Sequence, residues 1–365
     1  MQVKEITVTE LPDFVKSELW QQLSPKPLTG LRAISQFQNP RAQPGDVALV
    51  IAYEGNELIG LVGLLPNLVN AQIDQPACSN TCWWAHPEKG KQLAIPLFFK
   101  AFALCRQRMF MTDCTPHTLG ILKKTSWFEF PDTHPGIRGF LKFNLHEILP
   151  AKLPATRKLT PLLKVSDQML NFLMAPYRMA LRSRFTKNSS AVEYLTSLND
   201  EMYQFIETHS IDEFNRRSGK DLEWIIQFPW IKGKNLDGSA TPVEYPFSYL
   251  VEKFEQFFIK ITAAGQTIAL LFISLKNGHM KVPYAYFNEK VADQVLKVIY
   301  QQALIKNAVT LTLFNPPLVE AMDSAAHPFI FRKNIKRLIA ISKHLSGLYQ
   351  KYPHLQDGDG DVVFT

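Results

Sequence analysis

The sequence predicts a mixed α/β protein built twice in tandem, two α+β units of mixed sheet joined by a basic helical connector. Three observations lead there. One order of elements (hairpin, strand, helix, strand) occurs twice; the offset between the occurrences is about 200 residues, far longer than a solenoid repeat; and the positive charge sits between them. The boundaries this reading draws are 1–150 for the first domain, 151–200 for the connector and 201–365 for the second domain.

The 365 residues, 46% hydrophobic and 20% charged, are globular values, and at about 150 residues per domain they favour two domains. No apolar run reaches the ~18 residues of a membrane helix, and "MQVKEITVTELPDF" lacks the apolar region of a secretory signal, so a cytoplasmic protein without a transmembrane segment is expected. Cys78, Cys82, Cys105 and Cys114 form neither a CxxC pair nor paired zinc spacing, which makes them buried free thiols and leaves no metal site.

Each element has a local reason. "VALVIAYEGNELIGLVGLLPN" alternates and turns at Glu54-Gly55-Asn56, a hairpin, and "FFIKITAAGQTIALLFISLKN" repeats it around Ala264-Gly265-Gln266. Next comes a strand, a polar turn and an amphipathic helix: "WWAHPEKGKQLAIPLFFKAFALCRQ" in the first half, "VPYAYFNEKVADQVLKVIYQQALIK" in the second. Phe98, Ala101, Phe102 and Cys105 fall on one helical face, Val291, Val295, Val298 and Ile299 on another, and Pro96 sits early enough in its helix to be tolerated. A strand and a Pro-containing break close each half, "MFMTDCTPHTLGILKKTSWFEF" and "VTLTLFNPPLVEAMDSAAHPFIF".

The net charge of +7 is accounted for by Lys152, Arg157, Lys158, Lys164, Arg178, Arg182, Arg184 and Lys187, set against Asp167 alone. The same segment is rich in Leu, Met, Phe and Tyr, so it is expected to be helical. A solvated or interdomain face is preferred for it over contact with anionic lipid or an acidic partner, and it lacks the interleaved aromatics of a nucleic-acid groove, which argues against DNA. "DGDGD" at Asp357 to Asp361 imitates the start of a calcium loop without its closing glutamate and is expected to be a flexible acidic tail. Tyr284, Tyr286 and Phe287 are read as strand aromatics of the core ahead of cleft residues.

The element order resembles the GNAT acyltransferase superfamily, whose turn after a splayed strand, R/Q-x-x-G-x-G/A, wraps the pyrophosphate of acetyl-CoA. Lys89-Gly90-Lys91-Gln92-Leu93-Ala94 resembles that motif, with Gln92 at the central glycine position and Ala94 at the last small one. "TPHTLGILKKTSWFEF" resembles the later helix and strand, with Leu122 where the family often has a tyrosine acid. "NEKVADQV" in the second copy has no glycine and carries Glu289 and Asp293, so that copy is degenerate; "RRSGKDLEWIIQFPW" is similar to the stretch opening the second half of tandem members.

The resemblance implies an N-acyltransferase using acetyl-CoA or another acyl-CoA in the N-terminal copy, acting on a small-molecule or peptide amine. Trp84 and Ala85 would hold the pantetheine and polarise the thioester, and Lys89 to Ala94 would hold the pyrophosphate. His86, His117 and Glu57 are the candidate bases; the alternatives are a turn residue, a helix-start residue and a solvent-facing strand residue. Two other readings are a catalytically inactive binding or scaffold protein, and an aminoacyl-tRNA-dependent transferase using the basic connector as an RNA contact.

Overall fold

In the computed structural model the described residues are all except 70–74, 187–189, 235–242, 325 and 365. Along the chain they begin with β1 (Gln2–Thr7), α1 (Leu11–Phe14), α2 (Glu18–Gln22), α3 (Gly30–Phe37), β2 (Val47–Glu54), β3 (Glu57–Val69) and β4 (Gln75–Ala85). There follow α4 (Ala94–Leu104), β5 (Met109–Met111), α5 (Pro116–Leu122), β6 (Phe128–Glu129), β7 (Gly136–Phe140), α6 (Leu145–Lys152), α7 (Thr160–Leu173), α8 (Ala175–Thr186) and β8 (Ala191–Leu195). Then come α9 (Asp200–His209), α10 (Gly219–Gln227), β9 (Lys232–Gly233), β10 (Leu250–Val251), β11 (Phe254–Ala263), β12 (Gln266–Lys276), β13 (His279–Phe287) and α11 (Ala292–Ile305). The chain ends with β14 (Thr310–Leu313), α12 (Pro316–Ser324), β15 (Phe331–Ile335), β16 (Ala340–Ser342) and α13 (Lys343–Lys351).

Two seven-stranded sheets organise these elements, β1-β2-β3-β4-β5-β16-β6 and β8-β11-β12-β13-β14-β7-β15. Position by position they match: an edge strand, the hairpin, the strand before the long helix, a parallel neighbour, an inserted strand and a closing edge. The inserted strands are exchanged. β7, which follows the first copy in sequence, lies between β14 and β15, while β16, which follows the second, lies between β5 and β6.

The exchange corrects the boundaries at 150 and 200. One compact unit comprises Met1–Thr133, Ser197–Phe254 and Arg337–Thr365, and the other comprises His134–Thr196 and Glu255–Lys336. The connector is helical, as its apolar content implies, but Leu181 and Phe185 of α8 belong to the second unit's core and β8 is that sheet's edge. Period and composition announce a strand; they do not say which sheet completes its hydrogen bonds.

The first sheet is covered on both faces. α4 and α5 bury Leu97, Phe98, Phe102 and Leu122 against one, and the N-terminal helices bury Leu11, Phe14 and Ala33 against the other. In the second unit α11 and α12 pack Val295, Ile299, Leu318 and Met322 on the sheet. The tail is a second correction: Asp359 is fully buried and Asp357 nearly so, because Asn215 Nδ2 and the Gln356 amide donate to the Asp359 carboxylate at 3.1 and 2.8 Å. Among the described residues no helix is long and apolar enough to cross a membrane.

Candidate functional site

The site of the first unit is set by where β4 stops pairing. β4 runs antiparallel to β3 along most of its length, from Val69↔Gln75 to Gly60↔Ala85, but it meets parallel β5 only at Cys78↔Met109 and Ser79↔Phe110. From Asn80 onward the two strands part. A bulge sits at that point: Gly63 faces Cys82 and Leu64 faces Asn80, so Thr81 is the extra residue. Bulges of this kind re-aim a side chain and loosen the ladder, and they concentrate beside functional sites. Asn80 Nδ2 donates to the carbonyls of Gly63 and Cys82 at 3.1 and 3.2 Å, satisfying acceptors at the irregularity.

Beyond the bulge, β4 points successive residues to opposite faces. Trp83 stacks on Phe98 at 4.6 Å and its Nε1 donates to the Ala94 carbonyl at 3.0 Å, while Cys82 and Trp84 join the core on the other face. The His86 amide donates to Ile59 on β3 at 2.8 Å. Because successive amides alternate sides in a strand, Trp84 N–H is directed to β3 and Ala85 N–H to the side where β5 has departed. Of the two strand-end candidates, Ala85 presents its amide to the gap.

The loop that follows is wound tightly. The Gly90 amide donates to the His86 carbonyl at 2.9 Å, and the Leu93 and Ala94 amides return to the Gly90 carbonyl at 3.0 and 2.9 Å. Gly90 is buried, and a Cβ there would come within 2.6 Å of both the His86 nitrogen and the Ile59 oxygen, so glycine is required for close backbone approach. Lys89 is turned to Glu57 at the start of β3, away from the β5 side. That ion pair lowers the Glu57 pKa and raises that of Lys89. The amides of Lys91 and Gln92 have no acceptor among the described residues, and both side chains are exposed at the start of α4.

Of the three histidine and glutamate candidates, two come together. His86 Nε2 lies 3.4 Å from Glu57 Oε1, while its Nδ1 accepts the amides of Glu88 and Lys89 at 3.2 and 3.3 Å. The ring therefore closes the turn, with both nitrogens engaged. His117 lies apart from them, exposed in the first turn of α5 after the cap Thr115.

The sequence reading missed the polar cluster at the bulge. Arg32 of α3 reaches Thr81 Oγ1 with one terminal nitrogen, donates to Tyr245 Oη at 3.1 Å with the other, and lies 4.2 Å from the Trp230 ring. Gly63 makes room for it: a Cβ there would meet Arg32 Nη2 and Cys82 Sγ at 2.5 Å each. Burial opposes the charge of Arg32, yet Cys82, Tyr245 and Asp361 hold it protonated beyond its ordinary range. Burial also pushes up Cys82 and Tyr245, with Arg32 opposing in both cases.

α10 supplies the support. Its capping box joins Ser218 to Asp221, and the same Asp221 carboxylate takes Arg41 Nε and Nη2 at 2.9 and 2.8 Å. Trp224 and Trp230 donate to Ser35 of α3 at 2.7 and 2.9 Å, and Phe364 stacks on Trp230 at 4.6 Å. Arg32 and Tyr245 are 213 residues apart in sequence, and no local pattern joins them.

The second unit repeats the geometry without the polarity. β13 meets β14 only from His279 to Lys281, and its register with β12 shifts between Phe272↔Tyr284 and Ser274↔Lys281. Tyr284 and Tyr286 are buried core aromatics, as their alternation implies. Among the described residues no group of three or more His, Cys, Asp or Glu side chains is placed to hold a metal.

No protein-family profile matches the chain, and no curated protein matches it by sequence. Solved structures do. A conserved protein of unknown function from Enterococcus faecalis V583, described as a probable N-acyltransferase, aligns with a TM-score of 0.51 at 10% identity, over 96% of this chain and 74% of that one. A GCN5-related N-acetyltransferase from Kribbella flavida gives a TM-score of 0.48 at 12% identity over 93% and 70%. A tandem GNAT protein from the clavulanic acid biosynthesis pathway gives 0.46 at 10% over 93% and 98%. The paired, bulged and splayed strands in both sheets, together with the first of these alignments, give this chain the GNAT fold in two tandem copies.

Proposed function

We propose that the protein is an N-acyltransferase whose first unit carries the chemistry, with an acyl-CoA as donor and an amine as acceptor. The observation that carries this reading is the bulge at Thr81, at the mouth of the β4–β5 gap, touched by Arg32, which Tyr245 also contacts. The free amides of Lys91 and Gln92 with the Lys91 charge fit a phosphate of the donor, and Ala85 N–H is the donor directed at its pantetheine arm. CoA supplies the thioester. Arg32 stays charged and orients the acceptor beside Thr81. Tyr245, kept protonated by burial and accepting from Arg32 at 3.1 Å, is the acid for the leaving sulfur as the acceptor nitrogen bonds the acyl carbon and the C–S bond breaks; the acceptor nitrogen loses its proton to solvent. His86 and Glu57 belong to the turn in this scheme and His117 to the surface of α5. Among its described residues the second unit enters α11 through Asn288 to Val291 without a glycine, and in this scheme it serves as scaffold.

Calorimetry and thermal shift with acetyl-CoA test the donor. A ligand bound by the native state alone stabilises it by about 2.7 kcal/mol at a hundred times its dissociation constant. Ala94→Asp, which sets a negative charge at the loop, should abolish that shift. Tyr245→Phe should keep it while slowing CoA release with amine acceptors by roughly a hundredfold. Neither heat nor shift at millimolar acetyl-CoA would sink the reading. The diversion of Lys89 to Glu57 would then favour a binding protein or a donor other than CoA, such as aminoacyl-tRNA.

A further inference from the structure

α7 in the second unit is built inside out. It turns Asp167, 4% exposed, towards the protein and presents Leu162, Val165, Met169, Phe172 and Leu173 to solvent. Those five recur at helical spacing and form one apolar stripe, with Phe172 79% exposed. Leu153, Leu159, Tyr177 and Met179, on either side of α7, are exposed as well. A contiguous apolar face of this kind marks an interaction surface.

The stripe borders a cavity of about 600 Å³ lined by Lys142, His146, Lys164, Phe172 and Arg178, with Asp167 its one carboxylate. That carboxylate is already committed. It accepts the Leu145 and His146 amides at 2.8 and 3.0 Å and lies 2.7 Å from His146 Nδ1. Arg178 is fixed by two bonds to Asn171, at 3.1 and 2.7 Å. Burial, with Arg178 adding to it, pushes Lys142 down to about 8. The surrounding segment adds Lys152, Arg157, Lys158, Arg182 and Arg184 and no further acid between 152 and 186.

We infer that α7 and α8 dock the protein on an anionic phospholipid bilayer, with the apolar stripe at the acyl boundary and a headgroup phosphate in the Lys142–Lys164–Arg178 cavity. Charge complementarity favours this occupant. A second copy on the same face would bring like charges together, and a nucleic acid would leave five large apolar side chains in water. Basic residues flanking a Leu/Phe face are the pattern of helices that lie in the membrane interface.

Co-sedimentation of the full-length protein with vesicles tests it. Binding is expected to phosphatidylcholine–phosphatidylglycerol vesicles, with at least tenfold weaker binding to phosphatidylcholine alone and a steep loss with salt. Phe172→Ser with Leu173→Ser should lower binding to the anionic vesicles at least tenfold; both side chains are exposed, so unchanged circular dichroism serves as the folding control. Lys142→Met with Arg178→Gln should weaken it by a similar factor, whereas Lys123→Ala with Lys124→Ala in the first unit, which removes as many charges, should not. No binding to anionic vesicles, or binding indifferent to Phe172 and Leu173, overturns the inference. So does a dimer in solution that the apolar double variant abolishes, or RNA binding that survives it.

Discussion

The two units share a plan and differ in what they put at its centre. Where Gly63 faces Cys82 beside the Thr81 bulge in the first, Phe272 faces Tyr284 beside Val282 and Pro283 in the second. Phe258, Phe272, Tyr284 and Tyr286 then form a run of rings, with centroids 5.0 to 6.5 Å apart. The first unit instead buries Arg32, Arg41, Asp221, Asn215, Glu213 and Asp359. Burying charge is costly unless each group is matched, so apolar packing is the simpler way to fill a sheet. That one copy keeps the ionic interior and the other has aromatic rings teaches that the first is shaped around polar contacts and the second around packing.

The largest effect expected from breaking this contrast comes from Asp221→Ala. It strands the Arg41 guanidinium in the interior and should cost about 3–5 kcal/mol. Thermal unfolding followed separately at tryptophans of the first unit and by the overall circular dichroism should show the first unit melting early, because all six tryptophans, Trp20, Trp83, Trp84, Trp127, Trp224 and Trp230, lie in it. A uniform shift of one transition would dissolve the distinction between the units.

Next in size is a pH effect. Burial pushes Asp359 up to about 6 against Arg217, the Gln356 amide, Arg337 and Asn215, whereas its unfolded value is near 3.8. The folded state thus holds the proton more tightly, and stability should fall by about 2 kcal/mol as pH rises from 4 to 6. Glu213, raised by burial and by Asp359, adds in the same direction. Asp221, held at about 2 by Arg41 despite burial, works oppositely: its contribution is present above pH 4 and lost as pH falls towards 2. Asp359→Asn should flatten the slope between pH 4 and 6 in denaturant titrations; an unchanged slope would contradict it.

Gly90→Ala should cost about 1–3 kcal/mol, since its Cβ meets backbone atoms at 2.6 Å that cannot move aside. The second copy, which enters α11 through Asn288 to Val291 without a glycine, has no comparable sensitivity. Smallest is Lys89→Ala: Lys89 is exposed and its partner Glu57 half-buried at the surface, and loss of a surface ion pair should leave the melting temperature unchanged. A clear drop would mean that the Lys89–Glu57–His86 turn contributes to the fold more than its exposure implies.

What the sequence determined by itself is local and periodic. Alternation set the hairpins at Gly55 and Gly265, the apolar stripes set α4 and α11, and their recurrence in order set the duplication, because each follows from side-chain spacing along a few turns or strands. The turn at Lys89 to Ala94 was legible as a loop opening a helix, though not the diversion of Lys89 to Glu57. Only the tertiary structure decided the rest: that β7 and β16 trade sheets, that "DGDGD" is buried beneath Asn215 and Arg337, and that Arg32, Thr81 and Tyr245 meet at a bulge. Those contacts join residues up to hundreds of positions apart, and what selects them is the demand that buried strand edges and buried charges find partners, a condition on the whole folded chain and on no stretch of it.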